Sequence, residues 1–225
     1  MRDFLVFLPV MCMSMFLSCE KESSYVRPGK IDVGFVPDGM ECAVRECFRR
    51  QDEAFIRERT DSALTERMRD ISCGGISEEE ARQILGLARE HASGYGFDYV
   101  TVLAVMAQES NFLSRARSRA GAVGLMQVTP AALRDYNRCN GTCLTRYDLN
   151  DDGINVMIGC WTLDRQRQYI GSDDWSECII SYNSGAGNFR RNRTSYLRGY
   201  AYLDKVRRYE NMMRETCVYG TGETR

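Results

Sequence analysis

Residues 102–112 read VLAVMAQESNF, an apolar run that ends abruptly in a glutamine, a glutamate and a serine. Val102, Val105, Met106 and Glu109 are spaced at i, i+3, i+4 and i+7, so a helix would place the glutamate on the same stripe as three apolar side chains. Burying a carboxylate beside such neighbours is costly. The stretch therefore raises the question of whether Glu109 has a chemical role.

Two effects would raise the pKa of Glu109 in such a helix. Burial against apolar side chains disfavours the charged form, and so does the negative end of the helix dipole at the C-terminus. A carboxyl group kept protonated near neutral pH can donate a proton to a leaving oxygen. The alternative is a glutamate at a helix end that points into water, and this stretch alone slightly favours that alternative.

Helix start and stop signals occur on both sides of this stretch. They predict helices before it, through it and at three places after it, and no run of strict alternation long enough for a strand stands out. We therefore predict an all-α fold. The signals are the Ser77-x-x-Glu80 capping box of a helix from Glu78 to about Ser93, the cap residues Asp98, Thr129 (before Pro130) and Asp173, and an apolar stripe over roughly Tyr200–Glu215.

The composition is that of a folded protein, with 225 residues of which 44% are hydrophobic and 27% charged. Lys and Arg number 30 against 31 Asp and Glu, for a formal net charge of -1. Such a balance creates no global field that would favour nucleic acid or an anionic membrane surface. Partners must be sought at individual sites.

The first 40 residues carry targeting features. An apolar run from Phe4 to Leu17 follows one arginine and predicts an export signal over residues 1–18. Its ending resembles the lipobox of bacterial lipoproteins, which would make Cys19 the lipidated first residue; simple cleavage or an uncleaved anchor is the alternative. Residues 19–40, with several Pro and Gly, are predicted to be a tether.

The cysteine count suggests disulfides. Of ten cysteines, Cys12 would leave with the signal and Cys19 would carry a lipid, which leaves an even set of eight in an exported protein. We expect residues 41–76 to form a helical extension pinned by disulfides, and a local bridge between Cys139 and Cys143. Zinc is the weaker alternative because the chain has one histidine.

Four ordered motifs contain polar, glycine or aromatic residues where plain core segments would not need them. Together they resemble the signature motifs of the soluble lytic transglycosylases, lysozyme-like enzymes that cut bacterial peptidoglycan. The motifs are Glu109-Ser110, Gly121-Ala122-x-Gly124-Leu125-Met126-Gln127, Tyr182-Asn183-x-Gly185 and the segment YLDKV that begins at Tyr202. The resemblance implies an all-α, lysozyme-like domain over residues 77–217, followed by a short tail, residues 218–225.

The resemblance also implies a role for each matching residue, and it implies neither a metal nor a cofactor. Glu109 matches the single catalytic acid/base of the family. Taken singly, the glycines would read as turns and Tyr182 as a core residue. The matching substrate contacts are Ser118 beside the scissile sugar, Met126 and Gln127 lining the glycan groove, Tyr182 whose hydroxyl helps position the carboxyl, Asn183 beside it, and Tyr202 of the last motif.

Some positions depart from the family pattern. Ser181 stands where alanine is usual and Leu203 where valine is customary, both small changes. Residues 148–159 also mimic the spacing of a calcium loop, but Gly159 occupies the twelfth position, where a bidentate glutamate should lie. A capped helix start is the better interpretation of that segment.

The family mechanism needs only one carboxylate, whereas hydrolytic glycosidases usually need two. It implies cleavage of the MurNAc-GlcNAc β-1,4 bond of peptidoglycan with formation of 1,6-anhydro-MurNAc. Together with the N-terminal signals, the resemblance predicts an exported, periplasmic lipoprotein whose partner is peptidoglycan. Asp98, Asp135 and Asp148 are possible second carboxylates, although each reads better as a cap or turn residue. The alternatives are a hydrolytic muramidase and a non-catalytic peptidoglycan-binding or envelope-assembly protein on the same fold.

A basic cluster follows the predicted acid. Arg115, Arg117 and Arg119 alternate with small residues. They could meet the anionic peptide stems of peptidoglycan or form a solvated face, and the solvated face is slightly favoured.

Overall fold

The computed structural model describes residues 41–191 and 197–220, and helices dominate that part of the chain. The predicted export signal, Cys19 and the tether lie outside the described residues, as does the tail from residue 221 onward. The elements are α1 (Glu41–Ile71), α2 (Glu78–Gly94), α3 (Tyr99–Ser110), α4 (Pro130–Asn140), a 3₁₀ turn (Asp148–Asn150), α5 (Asp152–Ile170), α6 (Trp175–Ser184), α7 (Ala186–Arg191) and α8 (Leu197–Gly220).

Within the described residues, the chain divides into two units between Glu53 and Ala54. In the first unit, the start of α1 carries exposed ion pairs such as the one between Arg49 and Glu46, at 2.7 Å. The second unit contains the hydrophobic core. Leu64 and Met68, in the second half of α1, are fully buried in that core.

Helix α3 is the centre of the core. Val102, Val105 and Met106 are buried, which confirms the predicted apolar stripe. Helices α2 and α8 pack against α3, while α5 packs against α2, α4 and α6. Although α3 is strongly apolar, no helix in the described ranges is long and apolar enough to cross a membrane.

Most predicted helix starts are confirmed by their caps. Ser77 and Glu80 form the capping box of α2, Asp98 accepts from the backbone of α3, and Thr129 caps α4. The start of α6 was predicted one residue early, because its cap is Asp174. Asp173 and Asp174 are equally good cap residues by type, so the sequence does not choose between them. Helix α8 is longer than predicted at both ends.

The motif loop, residues 111–129, connects α3 to α4 and contains two isolated antiparallel bridges. Asn155 of α5 is fully buried against it. Its Oδ1 accepts from the backbone N–H of Met126 at 2.9 Å, and its Nδ2 donates to the carbonyls of Val123 and Leu149 at 2.9 and 3.0 Å. Gly124 has a φ of 81°, and a Cβ there would lie 2.1 Å from Asn155 Nδ2. Only glycine both adopts this positive φ readily and leaves room for the Asn155 amide.

The expected disulfides are not found among the described cysteines. The six whose side chains are described are all free, including Cys139 and Cys143. The side chains of Cys42 and Cys47 lie outside the described part. Cys160 and Cys178 are buried and pack as small apolar residues. An even number of cysteines in the sequence does not distinguish this role from disulfide formation. A disulfide-pinned extension is therefore not supported, and packing of Leu64 and Met68 attaches the second half of α1.

Helix α5 passes so close to the motif loop at Gly159 that a side chain does not fit. A Cβ at this position would lie 2.2 Å from Met126 Sδ and 2.6 Å from Met126 Cβ. Gly159→Ala should therefore lower the free energy of unfolding by about 1–3 kcal/mol, measured by urea denaturation. The matched control is Gly86→Ala on α2, where nothing lies within 4 Å of an added Cβ. This control should raise stability by up to about 1 kcal/mol, and equal effects of the two variants would contradict the close contact.

Candidate active site

Glu109 lies in the last turn of α3, with the fully buried Val105 and Met106 on the same stripe. The helix ends one residue later, where Asn111 adopts a left-handed conformation with a φ of 50°. Ser110 is buried and its hydroxyl donates to the Leu125 carbonyl at 2.8 Å. The end of α3 is thereby attached to the motif loop.

Two opposing influences act on the pKa of Glu109. Burial, the larger one, raises it above 4.5, while a hydrogen bond from Tyr202 lowers it. The Tyr202 hydroxyl donates to Glu109 Oε1 at 2.5 Å. Since Oε1 accepts this proton, the acidic proton of the neutral carboxyl belongs on Oε2. Glu109 is therefore an acid of raised pKa. Tyr202 holds its Oε1, and its Oε2 can carry the proton that is donated.

Tyr202 is itself buried in α8. Burial, together with the charge of Glu109, raises the pKa of the Tyr202 hydroxyl well above 10. The hydroxyl therefore remains a donor throughout the range in which Glu109 titrates. This pairing joins helices α3 and α8 at the candidate catalytic group.

Tyr182 makes a different contact from the one that the family resemblance implies. Its hydroxyl donates to the backbone oxygen of Met126 at 2.7 Å, and the hydrogen bond to the Glu109 carboxyl comes from Tyr202. Burial and the nearby charge of Glu109 raise the pKa of Tyr182 well above 10. Tyr182 supports the motif loop beside the acid.

Met126 also differs from its expected place. Its side chain is fully buried and packs against Gly159, so it belongs to the core and does not line the groove. Its backbone is what serves the site, because the N–H is held by Asn155 and the carbonyl by Tyr182. Met126 thus anchors the loop segment that carries Gln127.

Gln127 and Ser118 face the groove from the motif loop. Gln127 has a φ of 47°, and its Nε2 donates to the carbonyls of Ala116 and Gly124 at 3.2 and 3.0 Å. These bonds fix the amide, whose Oε1 is a hydrogen-bond acceptor. The Ser118 hydroxyl accepts from the backbone of Ala122 at 3.0 Å, which closes the turn of the loop.

A groove of about 400 Å³ runs between the motif loop and helices α4, α5 and α6. It brings together five sequence-predicted residues, while Met126 and Tyr202 lie behind its surface. The five are Glu109, Ser118, Gln127, Tyr182 and Asn183.

The opposite wall of the groove was not predicted from the sequence. It is formed by one face of α5 and by α4, whose lining residues lie outside the four family motifs. The α5 residues follow i, i+1, i+4, i+5 spacing, which is the only signal that could have grouped them. The residues are Asp135, Trp161, Thr162, Arg165 and Gln166.

The three possible second carboxylates occupy different surroundings. Asp98 caps the start of α3, at the opposite end from Glu109. Asp148 accepts hydrogen bonds from a threonine backbone and hydroxyl. Asp135 lines the groove and accepts from Arg138 at 2.7 Å. In the described ranges, no group of three or more His, Cys, Asp or Glu could hold a metal ion.

The basic cluster of the motif loop lies outside the lining of the groove. Arg115, Arg117 and Arg119 are exposed, and none of them lines the groove. Arg117 donates to Asn150 Oδ1 at 2.7 Å. The cluster forms a solvated face in this structure.

Residues 86–201 match the model of the Transglycosylase SLT domain, and the match contains the groove and its acid. The chain belongs to this family. The SLT domain includes Glu109 and the motif loop, while the match ends within α8, one residue before Tyr202.

Curated relatives match about half of the chain. The chain is 39% identical to the membrane-bound lytic murein transglycosylase C of Haemophilus influenzae strain PittGG over 122 residues, which are 49% of this chain and 33% of that relative. The same protein of the H. influenzae strain PittEE is also 39% identical over 122 residues. The chain thus spans about a third of the length of the curated relatives it matches.

Two solved structures are similar to parts of the chain. The 70 kDa soluble lytic transglycosylase of Escherichia coli matches with a TM-score of 0.54 and 19% identity over 73% of this chain and 30% of that chain. An inactive mutant of the lytic transglycosylase of Pseudomonas aeruginosa matches with a TM-score of 0.47 and 23% identity, over 60% of this chain and 23% of that chain. The E. coli match supports an all-α, lysozyme-like fold for the SLT domain.

The raised pKa of Glu109 predicts a pH-dependent stability difference. The folded state favours the protonated carboxyl, so this contribution to stability is fully present below the ordinary value of 4.5 and is lost as pH rises through the folded pKa. Glutamine cannot ionise. Glu109→Gln should therefore raise the melting temperature above the folded pKa and have little effect well below 4.5.

The measurement is a pair of thermal unfolding series across pH. The control variant is Glu90→Gln on α2, whose side chain is exposed. It should give no difference that grows with pH. A Glu109→Gln difference that stays constant across the series would show that the carboxyl is not held in its neutral form.

Proposed function

We propose that this protein is a peptidoglycan lytic transglycosylase whose catalytic acid/base is Glu109. The observation that carries the proposal is a buried carboxyl with a raised pKa, held at Oε1 by Tyr202 and lining an open groove. Membership of the SLT family, and relatives named as lytic murein transglycosylases, support the same activity.

In the proposed reaction, a glycan strand lies in the groove with the bond between MurNAc and GlcNAc next to Glu109. The carboxyl proton moves to the bridging oxygen as the bond from this oxygen to muramic C1 breaks. The substrate's own acetamido group stabilises the positive centre at C1. The carboxylate then takes the proton from the muramic 6-hydroxyl as its oxygen closes on C1. Glu109 regains its proton, and the product is a 1,6-anhydro ring formed without water.

The surroundings of Glu109 suit both halves of this cycle. Burial favours the neutral acid that begins it, and the Tyr202 hydrogen bond stabilises the carboxylate that exists in the middle. Gln127 Oε1 would accept a hydrogen bond from a substrate N–H or O–H. Asn183 and Ser118, both lining the groove, would contact the sugars beside the cleaved bond.

A hydrolytic muramidase is the second candidate, and one observation favours it. Asp135 lines the same groove as Glu109 and could serve as the second carboxylate that hydrolysis requires. Its ion pair with Arg138 and its exposure suit a surface contact better than a nucleophile or a base. We therefore assign the ring-closing reaction to this site.

We further propose that the enzyme works at the bacterial envelope, anchored through Cys19. The relative named membrane-bound lytic murein transglycosylase C supports this location. The export signal over residues 1–18, the tether over residues 19–40 and the SLT domain boundary at residue 77 remain predictions from the sequence. Metabolic labelling with a radioactive fatty acid, in the wild type and in Cys19→Ser, tests the anchor.

Glu109→Gln should reduce strand cleavage by about 10²- to 10⁴-fold, because the amide cannot donate or recover a proton. Cleavage is measured by release of soluble fragments from purified sacculi, with Glu90→Gln as the control for a change of exposed charge. Mass spectrometry of the wild-type fragments should show muramic ends one water lighter than hydrolysed ends. Reducing muramic ends alone would support the muramidase, and undiminished cleavage by Glu109→Gln would remove the proposed role of the acid.

Tyr202→Phe should change both the rate and its pH dependence. The hydroxyl lowers the pKa of Glu109, so its loss should raise that pKa further and move the alkaline fall in kcat/KM to higher pH. The rate below this fall should drop by about tenfold or more as the carboxyl loses its support. Tyr200→Phe, on the exposed side of α8, is the matched control. A lower rate with an unmoved alkaline limb would mean that Tyr202 has no electrostatic role.

A further inference from the structure

A second depression continues the groove beyond the end that is formed by α4 and α5. We call it the distal pocket, and its volume is about 340 Å³. It shares three residues with the groove, so a ligand lying in the groove can extend into it. The shared residues are Asp135, Arg165 and Gln166, and the others are Arg138, Cys139, Tyr169, Ala186 and Gly187.

The distal pocket has an excess of positive charge. Arg138 and Arg165 line it, and Arg190 lies over the ring of Tyr169, 5.1 Å from its centroid. The carboxylate in the lining is Asp135, which is paired with Arg138. Arg165 is exposed and forms no ion pair or hydrogen bond within residues 41–191 and 197–220. One guanidinium is thus available to an incoming anion.

A polar group without a partner lies where the groove meets the distal pocket. Gln166 Oε1 is buried and, among the described residues, has no hydrogen-bond donor. A buried acceptor without a hydrogen bond costs free energy. A ligand N–H that reached this amide would form the bond and remove that cost. The junction therefore offers a hydrogen-bond acceptor, and the pocket beyond it offers a guanidinium.

We infer that the distal pocket binds a carboxylate of the peptide stem carried by the glycan strand in the groove. This inference rests on the proposed function. Peptidoglycan stems are short peptides joined to the muramic lactyl group, and they supply both amide N–H groups and free carboxylates. The N–H matches Gln166, and the carboxylate matches the planar fork of Arg165. An uncharged continuation of the sugar chain could donate an N–H to Gln166 but would offer no carboxylate to Arg165.

The test measures binding without turnover, in the Glu109→Gln background. The ligands are purified glycan oligomers with intact stems, the same oligomers with the stem carboxylates converted to amides, and oligomers with the stems removed. Calorimetry should show intact stems binding about fivefold more tightly than amidated or removed stems. Adding Arg165→Gln should abolish most of that preference. Arg134→Gln, an exposed arginine of α4 that lines neither the groove nor the distal pocket, is the matched control and should preserve it.

Three results would overturn the inference while leaving the groove's function intact. The first is equal affinity for intact and amidated stems. The second is equal affinity for oligomers with and without stems, which would assign any anion contact to the strand itself. The third is a preference that survives both Arg165→Gln and Arg138→Gln, which would place the contact elsewhere. Failure of Glu109→Gln to bind any oligomer would instead refute the proposed function together with this inference.

Discussion

The site depends on one buried amide. Asn155 of α5 accepts from the N–H of Met126 and donates to the carbonyls of Val123 and Leu149, so it replaces the backbone pairing that an irregular loop cannot supply for itself. A glycine at position 124 is required because the amide occupies the space of a side chain. With the loop held in this way, the carbonyl of Met126 is positioned for Tyr182, and the amide of Gln127 faces the groove.

The pKa of Glu109 is set by two opposing interactions. Burial by the apolar stripe of α3 raises the pKa of Glu109, and the Tyr202 hydroxyl partly offsets that effect. Burial without the tyrosine would leave the carboxylate form strongly disfavoured, whereas a hydrogen bond without burial would leave an ordinary ionised glutamate. A group that must both give and regain a proton is best served when neither form is too costly.

The sequence was most informative where the chemistry is local. The Ser77 and Asp98 caps and the stripe that carries Glu109 were predictable because neighbours along the chain determine them. The contact between Tyr202 and Glu109 was not, because 93 residues separate the pair and tertiary packing alone decides which tyrosine reaches the carboxyl. Met126 was misplaced for the same reason, since the gap that receives its side chain is made by Gly159 of another helix. The α5 wall of the groove carries no motif, so its role became visible only when the helices were packed.

The separation of Glu109 from Tyr202 also has a consequence for when the protein becomes competent. During synthesis from the N-terminus, the acid is made long before the tyrosine that completes its surroundings. Helix α8 must dock against α3 before the pair can form. A chain exported before it folds would therefore lack the hydrogen bond from Tyr202 to Glu109 during transit. A molecule in which α8 fails to dock would lack the same bond, and with it the support of the proposed acid.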